Sequence, residues 1–458
     1  MMMIPNLFKQ RMQQMLDEEY PAFEESLRQE PYQALRINTL KVDPADLLKK
    51  ELFLLRPVPW ADNGFYYAPG DVPGKHPYHA AGLYYIQEPS AMAPAEYLQA
   101  KPGEKVLDLC GAPGGKSTQI AADMQGEGIL ICNEIHPARA KILSENVERM
   151  GICNAVVANE SPQRLAEAFP EYFDKILVDA PCSGEGMFRK NEDACREWSL
   201  ENVALCAKRQ DGILACAARM LAFGGRIVYS TCTFAPEENE GTVSRFLRDH
   251  PEFEAVSVKK AEGMTGGRQD WILDAAEGIA NTVRLFPHRL NGEGHFLAVL
   301  KKKEEYGAQA EANERTERGL PEKSVKDWLC FHRENLGEMK QGTYLLFGDQ
   351  LYLAPEETPL LRGLKILRPG LHLGTLKKNR MEPSHALALS LKKHQVRKYI
   401  DLPSGGSEIS AYLRGESIPF SGEKGWYLVT TDGFSIGWGK LSGGILKNHY
   451  PKGLRKQC

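Results

Sequence analysis

The chain predicts an α/β fold, a doubly wound parallel sheet with smaller domains on either side, and three observations carry that prediction. Between residues 103 and 301 short apolar runs alternate with stretches of helical spacing, as in a parallel sheet covered on both faces. The first run ends in a glycine-rich turn. Two later runs, Ile-Leu-Val-Asp-Ala-Pro-Cys at 176–182 and Ile-Val-Tyr-Ser-Thr-Cys-Thr at 227–233, stop at polar tips that each carry a cysteine. Sheets of this kind bind ligands in the crevice at the strand carboxyl ends, so Asp179, Cys182 and Cys232 are the first candidates for chemistry. A cysteine in an apolar strand is most often a small buried hydrophobe. Loop formers around Cys182 and hydroxyl side chains around Cys232 weigh against that reading here.

At 458 residues the chain exceeds what one core serves, so several domains are expected. The ten cysteines form no C-x-x-C pair, and residues 1–14 carry charges without a signal-like core. No run approaches the roughly 20 apolar residues that span a bilayer. These features predict a cytoplasmic protein with reduced thiols and no membrane association. The net charge of −3 hides an asymmetry: residues 361–458 hold 17 Lys and Arg against 6 Asp and Glu, which is +11 and leaves −14 for residues 1–360. A basic end on an acidic body points to a polyanionic partner.

In order, residues 1–90 read as a small mixed domain with helical spacing over 5–28 and strand alternation over 34–41. His76 and His79 lack further clustered ligands and are read as structural, so no metal is expected. Strand one is expected at 105–110 and a helix from 117 to 124. Strand two follows at 128–134, then a helix over 137–150 with Pro137 at its start. Strands three, four and five fall at 154–159, 175–179 and 225–230, with a long helix over 200–221 before the last. Runs at 282–286 and 295–300 are expected to close the sheet as a strand pair. The charged stretch 302–323 reads as a linker. Residues 324–390 form an intermediate domain and 391–458 a β-rich basic module, with strands expected at 343–347, 350–353 and 425–430.

The turn after strand one excludes two nucleotide sites. A Walker loop needs glycine five positions before Gly115, where this chain has Cys110, and G-x-G-x-x-G is absent. What remains is a glycine-rich turn with an acid, Glu134, at the end of strand two. That pairing brings backbone close to a ligand and offers a carboxylate to ribose hydroxyls, which fits S-adenosylmethionine better than NAD.

Two cysteines at neighbouring tips have a chemical rationale if the task is methylation of carbon 5 of a pyrimidine. That carbon is unreactive until a thiolate adds at carbon 6. An acid must then meet charge developing at N3 and the exocyclic amine, for which Asp179 is suited, and one further group must help the thiol leave. On these residues alone either cysteine can be the nucleophile; DNA cytosine-5 enzymes use the thiol of a Pro-Cys motif, which would point to Cys182.

Asp108-Leu-Cys-Gly-Ala-Pro-Gly-Gly-Lys116, Asp179-Ala-Pro-Cys-Ser-Gly-Glu-Gly186, and Tyr229-Ser-Thr-Cys-Thr233 followed by Pro236-Glu-Glu-Asn239 resemble the Sun-type (RsmB/RsmF) RNA cytosine-5 methyltransferases. Gln87-Glu-Pro-Ser90 is similar to that family's entry motif, and the basic C-terminus resembles the PUA-like module of the RsmF group. The resemblance implies a Rossmann-like S-adenosylmethionine-dependent methyltransferase core at 91–301, with a small N-terminal α+β domain and a β-rich PUA-like C-terminal module. It implies Cys232 as nucleophile, Cys182 in product release and Asp179 on the target cytosine and beside the cofactor. Cofactor contacts are implied at Cys110, Gly111, Ala112, Pro113, Gly114, Gly115, Lys116 and Glu134. Family members often carry an aspartate after strand three, whereas this chain has Ala158-Asn-Glu-Ser161; Ser161, or Glu160, is expected to take over the adenine contact. Pro181, Arg189, Lys190 and Arg36 are expected to touch RNA. The implied partner is ribosomal RNA or the small ribosomal subunit, bound by a monomer. Rival readings are a tRNA-directed, DNA-directed or nitrogen-directed methyltransferase, and a non-catalytic RNA-binding assembly factor.

Overall fold

The computed structural model describes residues 4–304 and 316–455, so the middle of the expected linker lies outside the described residues. The central sheet contains β1 (Lys105–Asp108), β2 (Ile129–Asn133), β3 (Ala155–Ala158), β4 (Phe173–Asp179) and β5 (Leu221–Thr231), all parallel and ordered β5-β4-β1-β2-β3. The chain therefore runs outward from β1 in one direction and then returns to lay β4 on its other side. That reversal puts the topological switch point between the carboxyl ends of β1 and β4.

Each parallel strand is buried on both faces, which is why it reads as a continuous apolar run. Alternate residues point to opposite sides. Val106, Leu130, Leu177 and Val228 pack under α1 (Gly115–Asp123) and α2 (Pro137–Arg149). Leu107, Ile131, Ile176 and Ile227 pack on the other side against Ile213, Leu214 and Ala217 of α3 (Leu200–Met220).

After β6 (Phe253–Ala255) and β7 (Thr265–Gly266), the expected strand pair closes the edge as β8 (Val283–Leu285) and β9 (His295–Lys302). β9 runs antiparallel to β5, pairing Phe296 with Thr231 and Leu297 with Ser230. The opposite edge departs from expectation. There β10 (Ile366–Arg368), a strand from the stretch expected to form a separate domain, pairs antiparallel with β3.

The two N-terminal helices, Asn6–Leu16 and Tyr20–Ser26, bury Phe8, Met12 and Phe23 against Phe188, Trp198 and Phe234. Phe188 and Phe234 follow the two cysteine tips, so this cluster backs both loops; each buried aromatic contributes roughly 1.5–3 kcal/mol. The N-terminal four-stranded sheet shares a core with the C-terminal module: Leu35, Tyr78 and Tyr84 pack with Ile400, Tyr412 and Val429, and the Tyr78 hydroxyl donates to Asp432 at 2.7 Å. The C-terminal part is thus built into the fold at two places. Among the described residues no helix is long and apolar enough to cross a membrane.

Candidate active site

Between β1 and α1 the chain makes the glycine-rich turn, and α2 pins it from outside. Asn146 donates to the Pro113 carbonyl at 2.9 Å and Arg139 to the Ala112 carbonyl at 2.8 Å. Gly114 caps α1 with φ of 114°, a conformation that favours glycine. A cavity of about 210 Å³ lies between this turn and residues 85–91. Its wall includes Cys110, Gly111, Ala112, Pro113, Gly115, Lys116 and Asp179, with Asp108 at its floor. Burial pushes the Asp108 carboxyl up to about 7, against the hydrogen bond it accepts from Ser117 at 2.6 Å; its other oxygen has no partner among the described residues. A larger cavity of about 870 Å³ sits against Gly103, Gly128 and Asn154 at the strand amino ends, away from the thiols.

Asp179 ends β4 beside that cavity. Lys116 of α1 meets its carboxylate at 2.8 Å, and the Ser230 hydroxyl of β5 donates to the other oxygen at 2.8 Å. Burial works against the charge, but Lys116, His295 and these hydrogen bonds outweigh it and hold the carboxyl below the usual carboxylate range. Both oxygens of the Asp179 carboxylate thus accept from neighbouring side chains, Lys116 and Ser230.

The chain turns at Ala180-Pro-Cys182, and the Cys182 sulfur lies 3.3 Å from that of Cys232, just past the end of β5. The contact with Cys232, with burial added, pushes the Cys182 thiol up, and either sulfur can donate to the other. Buried polar groups fix both tips. Glu238 accepts from the Ser183 amide at 3.0 Å, from the Ser183 hydroxyl and from Gln210 at 2.8 Å. Asn239 bonds Thr231 at 2.6 Å and the Thr233 carbonyl at 2.9 Å. Glu185 holds the Phe234 amide at 3.0 Å. Between the tips, the Gly186 amide donates to the Cys232 carbonyl at 2.9 Å, and a Cβ at Gly186 would come within 2.4 Å of the Gly294 carbonyl.

The family model for 16S rRNA methyltransferase RsmB/F matches residues 95–301, and models for the N-terminal domain, first C-terminal domain and PUA domain of RsmF match 4–89, 330–391 and 391–456. The chain is 33% identical to ribosomal RNA small subunit methyltransferase F of Vibrio vulnificus, over 92% of this chain and 90% of that one. The chain belongs to the RsmB/F family. The corresponding protein of Aeromonas hydrophila is 32% identical over 94% and 93% of the two chains. A methyltransferase homologue from Pyrococcus horikoshii superposes with a TM-score of 0.59 at 32% identity, covering 65% of this chain and 95% of the other. The protein is thus a methyltransferase with a Rossmann-like core, an N-terminal domain and a PUA domain.

Within this RsmB/F chain several expected contacts look different. The Arg36 side chain is buried, and its guanidinium donates to Gln87, to the Gly115 carbonyl at 2.7 Å and to Thr118 at 2.8 Å. It ties the N-terminal sheet to the start of α1 instead of presenting charge to RNA. Arg189 is likewise enclosed, paired with Glu293 at 2.6 Å and donating to the Ser26 and Gly292 carbonyls at 2.9 Å. Lys190 stays partly exposed, 3.4 Å from Glu293, and the Pro181 carbonyl accepts from Gln210 at 3.1 Å.

Gly114, Glu134 and Ser161 are not among the residues of the cavity wall. Glu134 accepts from the His136 amide at 2.9 Å and pairs with Arg139 at 3.2 Å. Ser161 caps the helix Pro162–Ala168 by accepting from the Arg164 amide, while Glu160 accepts from the Lys365 amide of the β10 segment at 2.8 Å. Glu88, Glu238, Asn239 and His295 were missed as site residues. The sequence signal for the first three was their place in Gln87-Glu-Pro-Ser90 and Pro236-Glu-Glu-Asn239.

Proposed function

We propose that this enzyme transfers a methyl group from S-adenosylmethionine to carbon 5 of a cytidine in 16S ribosomal RNA, through a covalent bond between Cys232 and carbon 6. The observation that carries this is the pair of sulfurs 3.3 Å apart at the tips of adjacent strands, beside the Asp179–Lys116 pair. A nitrogen- or oxygen-directed methyltransferase needs no thiol. The curated relatives are named for the small-subunit ribosomal RNA, which supports the choice of substrate.

The cavity suits the cofactor: glycine backbone lines one side, and the unpartnered Asp108 oxygen offers an acceptor in its floor. Residues 110–116 and Asp179 would hold the cofactor, with Glu134 taking ribose hydroxyls where Arg139 now sits. S-adenosylmethionine supplies an electrophilic methyl when bound. Ser161 and Glu160 are the candidates for the adenine end.

Cys232 adds to carbon 6, which makes carbon 5 nucleophilic. Ionised Asp179 accepts the N–H of the cytosine amine, and Lys116 beside it balances the charge. Loss of the carbon-5 proton to water and expulsion of the Cys232 sulfur complete the turnover; the Cys182 S–H, with its sulfur 3.3 Å away, stabilises the Cys232 sulfur as it leaves. Pro181 and Lys190 border the path of the RNA, and the basic C-terminal module adds phosphate contacts.

The test is mapping of 5-methylcytosine in small-subunit rRNA incubated with the protein and the methyl donor. New 5-methylcytosine with wild type and none with Cys232→Ala is the expected result. Full activity of a folded Cys232→Ala variant would reject the nucleophile, and no transfer by wild type to any RNA would favour a binding protein.

A further inference from the structure

Without β10, β3 would be the outer strand of the parallel sheet, and the loop that leaves it, Asn159-Glu160-Ser161, would hang on a bare edge. That loop is tied inward to the loops after β1 and β2. The Asn133 side chain donates to the Leu109 carbonyl at 3.1 Å and to the Glu160 carbonyl at 3.0 Å, and it accepts from the Glu160 amide at 3.0 Å. The Asn133 carbonyl takes the amide of Gly111, a cavity-wall residue, at 2.7 Å. One buried residue therefore sets the spacing between the glycine-rich turn and the β3 loop.

The β10 segment grips the same loop from outside. The Asn159 amide donates to the Lys365 carbonyl, and the Lys365 amide donates to the Glu160 carboxylate, both at 2.8 Å. Three residues on, Arg368 donates to the Ser144 hydroxyl at 3.1 Å and pairs with Glu148. Ser144 and Glu148 belong to α2, the helix whose Asn146 and Arg139 pin the glycine-rich turn. Glu160 and Arg368 are both buried, so these contacts are enclosed. The β10 segment lies within residues 330–391, the first C-terminal domain, and so comes from a different domain from the loop and helix it holds.

A ligand that binds across several loops loses affinity for whatever ordering those loops still need. Bonds from the β10 segment supply that order in advance. We infer that this segment is a built-in brace of the cofactor site, with the Lys365 backbone and the Arg368 side chain as positioning groups, so that binding of S-adenosylmethionine and docking of the first C-terminal domain favour each other. The inference rests on the cleft at residues 110–116 being the cofactor's. Coupling of this kind is reciprocal. A docked segment that tightens the cofactor must itself be tightened by the cofactor to the same degree.

The test uses the full-length protein with S-adenosylhomocysteine as the probe and needs no RNA. Lys365→Pro removes the amide that donates to Glu160, Arg368→Met releases α2, and Lys365→Ala removes only an exposed side chain. In titration calorimetry the first two should bind the probe at least about fivefold more weakly than wild type, and Lys365→Ala should bind it equally. In wild type, where no variant has to fold, the probe should slow hydrogen exchange at the amides of residues 364–368 by a similar factor. The strand Thr343–Phe347, an outer strand of that domain's own sheet, should exchange as before. Equal affinities in folded Lys365→Pro and Arg368→Met, or exchange over 364–368 that ignores the probe, would overturn the inference. A wild type that binds no S-adenosylhomocysteine would overturn the cofactor reading itself, and the inference with it.

Discussion

Glu238 is the sharpest place to perturb the site, because it never touches substrate in this account and yet holds the Cys182 turn. Replacing it with alanine removes the acceptor for the Ser183 amide and for Gln210, whereas the Ser183 hydroxyl can turn to Thr233 at 2.8 Å. Two buried donors without acceptors cost about 4 kcal/mol together, taking ~2 for each. Melting temperature moves by roughly 2–4 °C per kcal/mol in a domain of this size, so Glu238→Ala at pH 5 should melt roughly 8–16 °C below wild type and lose methyl transfer as the turn loosens. Glutamine behaves differently. Its oxygen can keep the Ser183 amide and Gln210, and its amide can donate to the Ser183 hydroxyl, which passes its own proton to Thr233.

Burial raises the Glu238 carboxyl from 4.5 to about 7. The folded protein therefore binds this proton more tightly than the unfolded chain. The associated stability is present below about pH 4.5 and is lost as pH rises through 7, about 3 kcal/mol in all. Wild type and Glu238→Gln should thus melt close together at pH 5, with the variant melting higher at pH 8, in scanning calorimetry across that range. A constant gap between the two from pH 5 to 8, or a Glu238→Ala variant that melts with wild type at pH 5, would refute the reasoning.

A mild dithiol oxidant such as diamide should join Cys182 to Cys232, whose sulfurs lie 3.3 Å apart, with loss of two hydrogens by mass and of activity, and dithiothreitol should restore both; an unchanged Cys182–Cys232 peptide mass would contradict the geometry. Lys116→Met leaves the half-buried Asp179 charge without its cation and should cost roughly 1–3 kcal/mol, much of it recovered in the double variant with Asp179→Asn when both are melted side by side. Arg36→Met should lower stability by roughly 2–4 kcal/mol through its orphaned acceptors, while the slope of log RNA affinity against log salt stays that of wild type; a slope reduced by about one would identify a phosphate contact instead.

The parallel strands were legible because burial on both faces leaves an unbroken apolar run, and β1 to β4 lie within two residues of where the pattern puts them. β5 starts earlier than expected, at Leu221, because Gly224 and Gly225 break the apolar pattern there. β10 could not be read: three residues, Ile-Leu-Arg, carry no periodicity, and their place is set by the open edge of β3. The thiols were legible through chemistry, since two cysteines at strand tips demand an explanation. Their supports were not. Glu237, Glu238 and Asn239 look like a solvated loop in sequence, yet Glu238 and Asn239 are fully buried and accept from Ser183, Gln210 and Thr231. Arg36, expected to touch RNA, is turned inward: its fork meets internal acceptors on α1 that lie some eighty positions along the chain.

The division of labour between the two sulfurs is tested most directly by trapping. Each single alanine variant is incubated with small-subunit rRNA and the methyl donor, denatured, and resolved for protein covalently joined to RNA. Cys182→Ala should accumulate the joined species, because the sulfur at 232 still attacks but leaves without help. Cys232→Ala should form none. An adduct that builds up in Cys232→Ala and is missing in Cys182→Ala would contradict the assignment at its root.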